Sequence, residues 1–210
     1  MDNPRKTVSV LIVDDHPIMR RGLHAAIDIE QDLEVVGEAL DGEQAVTEYL
    51  ARTPDVVLLD LQMPNMDGLK AVSAIRAIDA DARIVIFTMY PGDARVSHAL
   101  KLGAISYLLK SSSRQEIVDA IRAASRGIRV IDSEVKRNMD THEGSEPLTR
   151  RERDVLARIK NGMTNKAIAE MLFVSEDTIK SHVKNIVGKL GASQRTQAVA
   201  IAIRRGFIDP

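Results

Sequence analysis

Cysteine is absent from all 210 residues. That excludes disulfide frameworks, Cys-ligated zinc and thiol chemistry, and suits a reducing compartment. No apolar run approaches the roughly 20 residues that a membrane-spanning helix needs. The opening MDNPRKT passes directly into VSVLIV, which is too short and too Val-rich for a secretory signal. No internal repeat or low-complexity tract interrupts the chain. These absences point to a soluble, cytoplasmic protein with no membrane partner. Hydrophobic residues make up 44%, enough for a packed core. The length accommodates one large domain or two small ones.

Acidic residues are also missing from one long stretch, between Asp177 and Asp209, where Lys180, Lys184, Lys189, Arg195, Arg204 and Arg205 fall. The net charge of −1 hides this imbalance. Residues 1–137 carry 17 Lys and Arg against 21 Asp and Glu, whereas residues 145–210 carry 12 against 7. An acidic part followed by a basic part implies two domains with different partners, the second suited to a polyanion.

Up to residue 130, short runs rich in Val, Ile and Leu alternate with helical patterns. The runs lie at Val8–Val13, Glu34–Gly37, Asp55–Leu59, Arg83–Phe87 and Ile105–Leu109. They lack polar alternation, as strands buried on both faces of a parallel sheet do. Between them, Ile18, Met19, Leu23, Ala26 and Ile27 form one apolar helical stripe, with Pro17 suited to the first turn. Val72, Ile75 and Arg76 belong to another helix, and Ile117, Ala120, Ile121 and Ala124 to the last. Five successive βα units predict a doubly wound α/β domain. Asn138–Pro147 has no apolar period and reads as linker. Beyond it come four helix patterns, at 149–161, 165–172, 176–189 and 195–205, with Gly162, Gly191 and Gly206 placed to close three of them.

In an open parallel sheet, ligands bind beyond the carboxyl ends of the strands. Asp14 and Asp15 follow the first run, Asp60 the third, Thr88 the fourth and Lys110 the fifth. With a flavodoxin-like strand order the three carboxylates converge, and a hard cation such as Mg²⁺ relieves their repulsion. Each residue alone has an ordinary explanation as a helix cap or loop residue. Five compatible types at successive strand ends are much harder to explain that way.

The segments LIVDDHPIMRRGL (11–23), DVVLLDLQMPNMDGL (55–69), Thr88 and GAISYLLK (103–110) resemble the receiver domains of two-component response regulators. The resemblance implies that Asp60 is the phosphoacceptor and that a sensor histidine kinase supplies its phosphoryl group. It implies Mg²⁺ held by Asp14, Asp15, Asp60 and the Gln62 carbonyl, with Thr88 and Lys110 contacting the phosphoryl group. Tyr107 resembles the aromatic switch that reorients with Thr88, and a core tyrosine is the competing reading. Such a domain acts only on itself, taking up and losing its own phosphoryl group, so the protein is not otherwise an enzyme. Two positions depart from the family pattern. Ser111 stands where many receivers have a cis proline, and Met89 where many have a small residue, which could narrow access to the site.

Residues 164–190 read as helix, turn, helix. Thr164 and Ser175 are capping types, Phe173 and Val174 form the turn, and Ile179, Val183, Ile186, Val187 and Leu190 recur at helical spacing. The opposite face presents Lys180, Ser181, Lys184 and Asn185, which suits a major groove. A merely solvated face of a helical bundle is the competing reading. LTRRERDVLARIKNGMTNKAIAEMLFVSEDTIKSHVKNIVGKLGASQR resembles the LuxR-type output domain of the NarL/FixJ group. That resemblance implies promoter DNA as a partner, with Lys180, Ser181 and Lys184 at base edges. Lys166, Thr178, Asn185 and Arg195 would contact phosphates. A homodimer on DNA would form through Ala198, Ile201 and Ala202, with RNA polymerase a further partner. Gly188 departs from the pattern, either because a partner approaches closely or because the helix is simply weaker there.

The expected organisation is a flavodoxin-like five-stranded receiver over 1–130, a linker over 131–146, and an all-α four-helix helix-turn-helix domain over 147–210. A haloacid-dehalogenase-like phosphatase fits less well, because Gln62 stands where those enzymes carry a second Asp. A DNA-binding protein with a degenerate receiver is also disfavoured, since all five receiver residues are present.

Overall fold

The computed structural model describes residues 7–89, 91–142 and 146–208. It divides into two compact units, the first built of residues up to Met89 with Val96–Lys136, the second chiefly of residues from Arg137 on. No helix among the described residues is long and apolar enough to cross a membrane.

In the first unit, strands and helices alternate. They are β1 (Val8–Val13), α1 (Pro17–Asp28), β2 (Leu33–Ala39), α2 (Gly42–Arg52), β3 (Val56–Leu59), α3 (Gly68–Ile78), β4 (Ile84–Thr88), α4 (Asp93–Lys101), β5 (Ser106–Leu109) and α5 (Arg114–Ser125). The strands pair in parallel in the order β2-β1-β3-β4-β5. This is the doubly wound sheet expected from the alternating pattern. The unbroken apolar runs are explained by two-sided burial. Val10, Ile12, Val56, Leu58, Val85, Phe87 and Leu108 pack with Leu23 and Ile27 of α1 and with Ile117, Ile121 and Ala124 of α5. Their strand neighbours Leu11, Val13, Val57, Leu59, Ile84 and Ile86 point the other way and are buried too. Ile18 does not join the expected α1 stripe and is 86% exposed. Leu23 and Ile27 are four residues apart, and Met19 continues their row, whereas Ile18 lies about 100° round the helix from Met19.

The segment expected to be linker has structure of its own. Its start pairs with β5, where the Tyr107 N–H donates to the Val130 carbonyl at 3.0 Å and the Asp132 N–H to the Tyr107 carbonyl at 2.9 Å. A short helix, α6 (Ser133–Thr141), follows and buries Val135. One buried apolar residue in a strongly polar stretch is too weak a period to be read from sequence.

The second unit has α7 (Arg150–Lys160), α8 (Asn165–Leu172), α9 (Glu176–Lys189) and α10 (Arg195–Arg205). Leu148, Val155, Leu156, Ile159, Ile168, Ile179, Ile186, Leu190, Ala198 and Ala202 form its core. Thr149 and Glu152 make a reciprocal capping box on α7. Burial would raise the Glu152 carboxyl, but the Thr149 N–H and the Lys189 ammonium, 3.0 Å away, outweigh it and hold the group below its ordinary range. Gly162, Gly191 and Gly206 all have positive φ just past helix ends, as expected of closing glycines. Gly188 is different. A Cβ there would meet nothing within 4 Å, so no close approach within the chain requires glycine. Gly188→Ala is therefore expected to raise the stability of the second unit by about 1 kcal/mol, read from denaturant unfolding of the full-length protein. An unchanged or lower midpoint would mean that the position serves something other than the fold.

Candidate functional site

The register of the sheet brings together residues that are distant in sequence. Val13 pairs with Leu59, so Asp14 and Asp60 leave neighbouring strands side by side, and the Asp60 N–H donates to the Val13 carbonyl at 2.9 Å. Thr88 pairs with Leu109, and the Lys110 N–H donates to the Thr88 carbonyl at 2.8 Å. Lys110, with only 4% of its side chain exposed, places its Nζ 2.7 Å from Asp14 Oδ2 and 2.8 Å from Asp60 Oδ2. The approach to Asp14 lacks hydrogen-bond direction and is an ion pair, whereas Asp60 accepts a directed bond. Asp60 Oδ1 accepts from the Leu61 N–H at 2.7 Å and, more weakly, from the Gln62 N–H at 3.4 Å.

Burial, the largest influence, pushes the Asp60 carboxyl above its ordinary range, against the pull of Lys110. Burial would lower the Lys110 ammonium, but Asp14 and Asp60 outweigh it and hold the group above its usual value. Asp14 and Asp60 thus share one buried ammonium, and Asp15 adds a third carboxylate to the cluster. Excess negative charge remains, and oxygen donors of this kind fit a hard divalent cation. Thr88 Oγ1 is fully buried without a hydrogen-bond partner.

The loop after β3 is held from several sides. Asp41, which caps α2, also accepts from Asn65 Nδ2 at 2.8 Å, and Asn65 adopts a left-handed conformation. Asp67 caps α3 by accepting from the Lys70 N–H at 3.0 Å. A Cβ on Gly68 would stand 2.2 Å from the Asp60 carbonyl oxygen, so only glycine lets α3 begin this close to Asp60.

Tyr107 is fully buried. Every described peptide bond, including the one after Lys110, is trans. Met89 is 66% exposed. His16 went unassigned from sequence although it directly follows the two aspartates. Its Nδ1 lies 2.8 Å from Asp15 Oδ1 and 3.4 Å from Asp14 Oδ1.

On the second unit, Lys180, Ser181, Lys184 and Asn185 are all exposed on one side of α9, opposite the buried Ile179 and Ile186. Ser175 caps this helix by accepting from the Thr178 N–H at 3.1 Å, leaving Thr178 exposed at its start. Lys180 is not a free cation. It pairs with Asp177 at 3.0 Å and Glu176 at 3.5 Å, which hold its ammonium above the ordinary range. Lys184 makes no ion pair among the described residues. A cleft of about 580 Å³ runs between the start of α8 and α10, lined by Thr164, Lys166, Glu176, Arg195 and Thr196. Lys166 is exposed there, whereas Arg195 donates to the Met163 carbonyl at 2.9 Å and to Asn165 Oδ1 at 3.3 Å.

The expected dimer residues need correction. Ala198 and Ala202 are 1% and 0% exposed and belong to the core, so they offer no surface to a second copy. Small residues at helical spacing on α10 serve close packing inside the unit. Of the three, only Ile201 is partly exposed.

Comparison with known proteins agrees with both units. Residues 10–122 match the response regulator receiver domain, and residues 146–202 match the bacterial regulatory proteins of the luxR family. The chain is 41% identical to the transcriptional regulatory protein LiaR of Bacillus subtilis, over 96% of this chain and 100% of that one. It is 37% identical to the response regulator protein VraR of Staphylococcus aureus, over 97% and 100%. A solved complex of the two-component response regulator RcsB with DNA superposes with a TM-score of 0.72 at 25% identity, over 95% of this chain and 99% of that one.

Proposed function

This chain belongs to the bacterial response regulators, transcriptional regulators that join a receiver domain to a LuxR-family DNA-binding domain; on that premise we propose that Asp60 is the phosphoacceptor through which its DNA binding is controlled. The observation that carries this reading is the Lys110 ammonium shared between Asp60 and Asp14 in a buried cluster of carboxylates. Asp60 uses a carboxylate oxygen as nucleophile, attacking phosphorus in line with the departing group of a phosphorylated sensor histidine kinase. As the phosphoryl group arrives, Lys110 neutralises one of its oxygens and Thr88 donates its unsatisfied hydroxyl to another. Asp14, Asp15, Asp60 and the Gln62 carbonyl would hold Mg²⁺, which when bound supplies positive charge against the phosphoryl oxygens. Water later hydrolyses the acyl phosphate and resets Asp60. Tyr107 pairs with Ile86, two residues before Thr88 on the neighbouring strand, and is read as the residue that responds to the position of that hydroxyl.

In the second unit, Lys180, Ser181 and Lys184 read base edges in a major groove of promoter DNA. Lys166, Thr178 and Asn185 meet phosphates, and Arg195 orders the start of α8 through Asn165 while lining the same cleft. Solved assemblies place two dimers of RcsB on DNA, and a dimer of this chain is proposed by the same logic. Its contact would use the outer face of α10, with Gln197, Ala200, Ile201 and Arg204 at helical spacing.

The direct test is incubation of the full-length protein with a small-molecule phosphodonor, with and without Mg²⁺. One hydroxylamine-sensitive, protein-bound phosphoryl group per chain, formed only with Mg²⁺, is expected. Uptake independent of Mg²⁺, or no uptake at all, would overturn the assignment.

A further inference from the structure

We infer that His16 is a direct ligand of the receiver's divalent cation, so that this site accepts ions favouring nitrogen, such as Mn²⁺, Co²⁺ or Zn²⁺, as well as Mg²⁺. The inference rests on the metal-site reading above and adds a residue to it.

The sequence Asp14-Asp15-His16-Pro17 fixes the His16 backbone beside the site by local means, with the imidazole 68% exposed at its edge. The His16 N–H donates to Asp14 Oδ1 at 2.8 Å, folding the backbone back over the buried carboxylate. His16 is then the N-cap of α1, and Pro17 sets the dihedral of the first helical residue. The side chain does no capping. It turns instead to the carboxylates, where one atom each from Asp14, Asp15, His16 and Asp60 lies within 4.8 Å of the others.

The contact with Asp15 shows what the imidazole does there. Nδ1 is 2.8 Å from Asp15 Oδ1, yet that oxygen is buried and has no hydrogen-bond partner. The two atoms approach closely without the direction of a hydrogen bond. An approach of that kind leaves both atoms open to a common ion. Adjacent ligands of an octahedral ion with bonds of about 2.1 Å lie roughly 3.0 Å apart. The separations of 2.8 Å to Asp15 and 3.4 Å to Asp14 bracket that value.

The cluster also separates its two flanks. Lys110 contacts the Oδ2 atoms of Asp14 and Asp60, while His16 faces the Oδ1 atoms of Asp14 and Asp15. An ion on the His16 side can be coordinated without displacing Lys110. Mg²⁺ prefers oxygen and retains several waters, so it gains little from the imidazole. Later first-row ions bind nitrogen donors more tightly, and for them a histidine changes both affinity and spectrum.

The test titrates Mg²⁺ and Co²⁺ separately into full-length wild type and His16→Ala, following heat and, for Co²⁺, visible absorption. Electron spin-echo spectra of the Mn²⁺ forms report directly coordinated nitrogen. His16→Ala is expected to weaken Co²⁺ by about tenfold or more, to leave Mg²⁺ affinity nearly unchanged, and to abolish the nitrogen modulation seen with wild type. Equal Co²⁺ affinities, or no coordinated nitrogen in wild type, would overturn the inference. So would a parallel loss of Mg²⁺ and Co²⁺ in His16→Ala, which would make the residue part of the scaffold. Failure of wild type to bind either ion would sink the metal-site reading itself, a result distinct from these.

Discussion

Asp60→Asn is expected to abolish Mg²⁺-dependent phosphate uptake from a small-molecule donor. The amide offers no anionic oxygen to attack phosphorus, and it removes one negative charge from the cluster that would hold the cation. Its oxygen can still accept from the Leu61 N–H, and its bulk is unchanged, so the first unit should fold. The folded state even escapes the cost of burying a carboxylate, which in wild type pushes the Asp60 carboxyl upward. Loss of labelling with an intact unfolding transition therefore separates chemistry from stability. Labelling of the variant at wild-type stoichiometry would place the acceptor elsewhere and sink the assignment.

The second large effect concerns DNA. Lys184→Ala is expected to cost about 1–3 kcal/mol on the preferred site and to relax discrimination among sequences, because a side chain hydrogen-bonded to base edges carries specificity. Lys180→Ala should cost less. In wild type that ammonium already shares its charge with Asp177 and Glu176, so less of it is available to DNA. Lys166→Ala should weaken every sequence alike and lower the slope of log affinity against log salt by about one unit. Operator and random DNA measured across a salt series distinguish these behaviours. Equal losses on both DNAs for Lys184→Ala would make α9 a positioning element that reads no sequence, and the recognition face would have to be placed elsewhere.

Much of this protein was open to reading before any coordinates. Parallel strands buried on both faces must be apolar throughout, and Val8–Val13 and its four counterparts show that without ambiguity. Two helix starts and three helix ends of the second unit were equally legible, since Thr164 and Ser175 cap the starts and Gly162, Gly191 and Gly206 close the ends through purely local bonds. The residue types at the strand ends followed from position, whereas the phosphoryl chemistry assigned to them came from the receiver resemblance.

What sequence could not decide was anything set by contacts across the fold. Ala198 and Ala202 have the spacing of a docking face and are instead core, because a helix packed closely on its neighbours needs small residues just as a dimer would. Ile18 sits beside the α1 stripe in sequence and in solvent in space. Helix α6 hides in a polar stretch because a single buried valine gives no period. The acids that temper Lys180 were visible, but their reach to it depended on rotamers. His16 was one residue past a recognised pair, yet only the folded chain brings its ring against Asp14 and Asp15. Periodicity, caps and composition are properties of neighbours along the chain, and the sequence by itself determined those. The meeting of Lys110 with Asp60 spans fifty residues, and strand order and register alone decide which oxygen it meets.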